Sequence, residues 1–205
     1  VYVSKGTTLR LDSCDIISAG EGVAATSTDC VVHVHASNIH SVLSSFLSGA
    51  GSSLTACRIT AATSVVDESS SEGSSEDELD AMNPSGFAHL FAAVTALSGE
   101  VRIVNNRIVN GFAHGVVLFN SAHGQIHDNL IANNIGAGIS VGASSTANIT
   151  NTIVANNASV GIAMCGRGVI SHSDIQGNMF NGIDVSQRYT TRDYFNAHED
   201  EIDED

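Results

Sequence analysis

The 205-residue sequence predicts an all-β solenoid of stacked parallel coils, on three observations. One phrase recurs at a nearly constant step, its apolar residues alternate as in strands, and the residues that build long helices are scarce. The phrase reads IVNNRIVNGFAHGVVL at 103–118, IHDNLIANNIGAGISV at 126–141, ITNTIVANNASVGIAM at 149–164 and ISHSDIQGNMFNGIDV at 170–185. Its first apolar residues, Ile103, Ile126, Ile149 and Ile170, are 23, 23 and 21 residues apart. A period in the low twenties is the mark of a repeat architecture in which each copy buries its apolar face only against its neighbours.

The rest of each copy follows from that alignment. Counting the first apolar residue as position 0, position 5 holds Ile108, Ile131, Val154 and Ile175. Position 12 holds Gly115, Gly138, Gly161 and Gly182, with apolar residues one and three places later. Weaker copies start at Leu11, Val34 and Leu54, with Ile16, Ile39 and Ile59 at position 5. Leucine-rich repeats are excluded by the lack of a fixed leucine spacing. Apolar segments of three to five residues with period two are short strands, and no helical spacing is sustained over ten residues. Branched Ile and Val suit a pleated, buried surface, and the glycine column provides either positive φ or close backbone approach at a corner. Position 3 is small in every copy (Cys14, Ser37, Cys57, Asn106, Asn129, Thr152, Ser173) and is expected to form a hydrogen-bonded ladder inside the stack. Each copy is therefore one turn of a right-handed parallel β-helix of about seven coils.

The charge is uneven. Of 22 acids, seven fall between Asp67 and Asp80 and seven between Asp193 and Asp205, leaving 22 − 14 = 8 acids against eight Lys and Arg. The body is near neutral and lacks the basic patch that nucleic acid requires. No apolar run approaches the roughly 20 residues of a membrane span, so no membrane contact is expected. The acidic stretch 67–86, DESSSEGSSEDELDAMNPSG, is expected to be a disordered insertion within a β-helix domain spanning 1–187. Ser69, Ser74 and Ser75 each precede an acid by three residues and resemble acid-directed phosphorylation sites. The segment AAVTAL after the insertion is expected to rejoin the core. Residues 188–205 form an acidic tail or cap, with Tyr189, Tyr194 and Phe195 laid over the last strand edge. The four cysteines show no metal-binding spacing and are read as reduced structural thiols.

On these repeats, over 3–66 and 99–187 and most strongly over 101–187, the chain resembles the right-handed parallel β-helix, or pectin-lyase-like, superfamily. In character it is nearest to the intracellular eukaryotic β-helix binding proteins of that group. The superfamily also holds pectate lyases, polygalacturonases and phage tailspikes, so the resemblance implies the fold and leaves the activity open. Its enzymes imply clustered acids for Ca²⁺ or a pair of catalytic carboxyls. Here no two acids share a column in adjacent coils. GAGISV (136–141) resembles a polygalacturonase Gly-His-Gly motif, but Ala137 stands in the place of the histidine. No catalytic residue and no cofactor is assigned.

Two sites remain as candidates. Positions 4 and 6 face outward and give an apolar patch of Val109, Leu130, Ala132, Ile153 and Ala155, read as partner-binding surface or as surface covered by the 67–100 excursion. His127, Asp128, Asn151 and His172 lie at positions 1 and 2 of consecutive coils and could hold a metal or a small polar ligand. The expected function is a non-catalytic protein-binding or scaffold module in a cytoplasmic assembly. The alternative is a secreted protein that binds or cleaves polysaccharide.

Overall fold

The computed structural model describes residues 1–18, 21–25, 29–41, 47–48, 51–61 and 92–185. These form 22 short strands and, among the described residues, no helix. Three parallel sheets of seven, seven and six strands run side by side along the chain, and Tyr2–Val3 pairs with Ala24–Ala25 as a small extra ribbon. Each strand pairs with its counterpart one coil earlier and one coil later, so the chain winds as a parallel β-helix. Numbering coils by the residue at position 0, coil 1 starts the first sheet with Leu11 and coil 7 ends it with Ile170. Coils 2 to 7 have all three sides.

The sequence columns coincide with the pairing register. In the first sheet Ile103, Ile126, Ile149 and Ile170 are successive partners. In the second, Asn38, Arg58, Arg107, Leu130, Ile153 and Asp174 follow one another. In the third, Val116, Ile139, Ile162 and Ile183 do the same. The strand Ala92–Ala96 completes coil 3, between Leu47–Ser48 and His114–Leu118, so AAVTA returns to the core as its sequence predicts. Ile39, Leu54, Ile59, Ile103, Ile108 and Ile126 are among side chains with no accessible surface. Burial of each stabilises the fold by roughly 1.5–3 kcal/mol. This continuous apolar column is the reason the coils stack.

Corners between sheets need a different device, because the chain leaves one ladder before entering the next. At the first corner, between the first and second sheets, position 2 has positive φ in all seven coils: Ser13, Ala36, Ala56, Asn105, Asp128, Asn151 and His172, at 47–58°. This left-handed residue turns position 3 inward. There Asn129 accepts from the Asn106 amide (2.9 Å) and donates to the carbonyls of Ile103 (2.9 Å) and His127 (2.8 Å). Ser37, Thr152 and Ser173 likewise donate to the carbonyl two residues back. The expected ladder is present, and it supplies the corner amides with partners they would otherwise lack.

The second corner, between the second and third sheets, repeats the scheme in coils 4 to 7. Asn110, Asn133, Asn156 and Gly177 have positive φ (54–63°), and Asn134, Asn157 and Asn178 at the next position stack as a second ladder. The sequence reading had not identified this one. Of the two roles open to the position-12 glycines, close approach is the one realised. A Cβ on Gly138 would lie 2.8 Å from the Gly161 carbonyl oxygen, and one on Gly161 2.5 Å from that of Gly182. The acidic stretch 67–86, with Ser69, Ser74 and Ser75, lies outside the described residues. So does the tail 188–205.

Candidate functional site

The two-residue first corner shapes the surface as well as the core. Position 3 points inward, so the side chains at positions 2 and 4 stand on either side of a trough. Because every coil makes the same turn, the trough repeats in register from coil 2 to coil 7. It forms an open groove of about 660 Å³. At about 4.8 Å per coil the five steps make it roughly 24 Å long.

Its chemistry changes along the axis. Arg58 and Arg107 are side by side in coils 3 and 4, both exposed. Leu130 and Ile153 follow in coils 5 and 6, half-buried and 42% exposed respectively. Asp174 closes the row in coil 7. On the opposite side Asp128 accepts a hydrogen bond from the Asn151 amide nitrogen at 2.5 Å. Among the described residues no Phe, Tyr or Trp lines the groove. Among the described residues the one ion pair is Lys5 with Asp29 at 3.9 Å, so neither groove arginine is paired with a described acid.

The predicted patch divides in two. Val109, Ala132 and Ala155 occupy position 6 as expected and lie outside the main core. They are nevertheless buried, stacked on one another with Leu130 against them. The expectation of exposure is corrected for these three: alternation fixes the face on which a side chain lies, and neighbouring coils then shade small side chains in the stacked column. Leu130 and Ile153 keep accessible surface, and both line the groove. Of the 67–100 excursion invoked as a cover, residues 67–91 lie outside the described residues, and Ala92–Ala96 is a strand of the third sheet.

The polar quartet also separates. Asp128, Asn151 and His172 share the left-handed column and line the groove, whereas half-buried His127 ends a strand of the first sheet and does not. No group of three or more His, Cys, Asp or Glu placed to hold a metal occurs among the described residues. Asp128 and Asp174 stand two coils apart, roughly 10 Å along the axis, at different positions of the turn. They do not face one another across adjacent coils as a catalytic pair would. The glycines of GAGISV have packing roles: a Cβ on Gly136 would meet the His114 ring at 2.7 Å, and Gly138 is one of the close-approach glycines. The sequence holds two glycosylation sequons, Asn148-Ile-Thr and Asn157-Ala-Ser; Asn157 is sealed in the second ladder, at 1% exposure, and cannot carry a glycan in the folded chain.

One titratable group is strongly perturbed. Burial lowers the pKa of His114 to about 4. Its Nδ1 accepts a hydrogen bond from the Ala137 amide at 2.9 Å, which requires the neutral ring. His114 sits beyond the second corner, away from the groove, and serves packing between coils 4 and 5. Cys14, Cys30 and Cys57 are free thiols, and burial raises the pKa of Cys57.

Three parallel sheets, two hydrogen-bonded corner ladders and a groove along one corner define a parallel β-helix with a built-in linear surface. A family model described as a right-handed beta helix region matches residues 1–196, and the chain belongs to that family. No curated protein and no solved structure matches it.

Proposed function

We propose that the chain is a non-catalytic protein-binding module that receives an extended segment of a partner along the first-corner groove, within a larger intracellular assembly. The observation that carries this reading is the position of Leu130 and Ile153, two accessible branched aliphatic side chains at mid-groove, flanked along their row by charged residues. Aliphatic side chains in a shallow groove are suited to alternate side chains of a peptide strand. A sugar ring gains more from an aromatic platform, which the described residues of the groove lack, and hydrolysis would need two carboxyls facing one bond. The free thiols Cys14, Cys30 and Cys57 fit a reducing compartment.

The reading is tested with an array of unstructured eight-residue peptides. Wild-type protein should retain a subset of them, and Ile153→Asp, at an exposed site, should lose that subset with an unchanged melting temperature. Equal retention by both proteins would refute the groove as the contact.

A further inference from the structure

The groove is not uniform along its length. Arg58 and Arg107 place two guanidinium groups in adjacent coils, neither in an ion pair with a described acid, and like charges directly opposite across a strand pair repel. An anion lying over both relieves that repulsion and can accept paired hydrogen bonds from each fork. Three coils beyond Arg107 the row ends in exposed Asp174, with Leu130 and Ile153 between. From Arg58 to Asp174 is four coil steps, about 19 Å, or roughly six residues of extended chain at 3.3 Å each.

We propose that the groove reads the charge order of its partner: a six-residue extended segment with carboxylates at one end over Arg58 and Arg107, aliphatic side chains over Leu130 and Ile153, and a lysine or arginine at the other end beside Asp174. The inference rests on the protein-binding reading above and adds the polarity and composition of the segment. The chemistry favours carboxylates of a peptide over those of an acidic sugar. The arginines occupy only two coils, whereas a uniformly charged polysaccharide would meet aliphatic and then acidic groups along the rest of the groove.

The experiment uses two fluorescein-labelled hexapeptides, both with two central valines. One has two glutamates at one end and two lysines at the other; the second has lysines at both ends. Fluorescence polarisation should show wild-type protein binding the first about tenfold more tightly, with the preference shrinking as salt is raised. Arg58→Glu with Arg107→Glu should invert the preference, and Arg58→Gln with Arg107→Gln should abolish it without inversion. Melting temperatures check that all variants fold.

Equal affinity for both peptides, lost in Ile153→Asp, would overturn the charge order and leave the protein-binding reading standing. If neither peptide binds while a labelled oligogalacturonate binds wild type and not the arginine variants, both fall in favour of a carboxylated sugar.

Discussion

The two ladder corners solve one problem with one device, yet they leave different surfaces. At the first, a left-handed residue and a small or polar inward residue make a two-residue turn in all seven coils, and the result is a straight trough. At the second, the same pair opens a longer connection. Between Arg58–Ala61 and Ala92–Ala96 that connection expands to hold the whole acidic stretch, and the flanking coils still pair in register across it. A corner of constant length stacks its outward side chains into rows and so offers a surface to a linear ligand. A corner of variable length tolerates insertion, because loop closure costs grow slowly with length. In this molecule the constant corner carries the proposed site and the variable one is where sequence is added.

Breaking the close approach beyond the second corner should have the largest effect. Gly138→Val would drive side-chain atoms into the Gly161 carbonyl and Val154, contacts that backbone cannot yield cheaply. We expect a loss of at least about 3 kcal/mol, read as failure to fold or a melting temperature lowered by some 10 °C. Little change would show that the coils are more loosely stacked there than the first-corner coils.

The ladders come next. Asn129→Ala removes the acceptor for the Asn106 amide and the donor to one buried and one part-buried carbonyl, and should cost about 2–4 kcal/mol. Asn157→Ala removes a comparable set, with longer bonds of 3.1 Å from the Asn134 amide and 3.4 Å to the Ile131 carbonyl, and should cost somewhat less. Paired denaturant titrations measure the difference. A larger cost at Asn157 would reverse the ranking of the corners.

A pH effect is expected at the second corner. The folded chain holds His114 neutral to about pH 4, whereas the unfolded ring takes up a proton near the ordinary 6.5. The contribution of the neutral ring is complete above pH 6.5, falls as pH drops through the window from 6.5 to 4, and is flat below it. Its size is at most about 3 kcal/mol. His114→Gln should flatten the dependence of melting temperature on pH in that window, and an unchanged slope would assign the dependence elsewhere.

Much of this was legible in the sequence, because Ile103, Ile126, Ile149 and Ile170 repeat the whole coil and not merely a strand. The first ladder was visible as a column of small residues. The second was hidden although its signal was present: doublets such as Asn133-Asn134 and Asn156-Asn157 place a left-handed residue before a ladder residue, as Asn105-Asn106 does at the first corner. The apolar positions set the register of the coils, whereas polar doublets carry the corner code. At the site, the columns of Val109, Ala132 and Ala155 were placed correctly while their burial was not. Alternation tells which face a residue occupies and says nothing of what shades it. Arg58 and Arg107 stood in the same column as Leu130 and Ile153. Two arginines 49 residues apart form no motif until an insertion is known to lie between adjacent coils.

The most direct test of the first-corner groove as the binding surface is an amide NMR titration of ¹⁵N-labelled protein with the glutamate–valine–lysine hexapeptide. Shifts should concentrate at Asn105, Asp128, Asn151 and Ile153, spread over consecutive coils, and leave Asn133 and Asn156 at the second corner unmoved. Shifts centred on the second corner, or none anywhere at millimolar peptide, would contradict it.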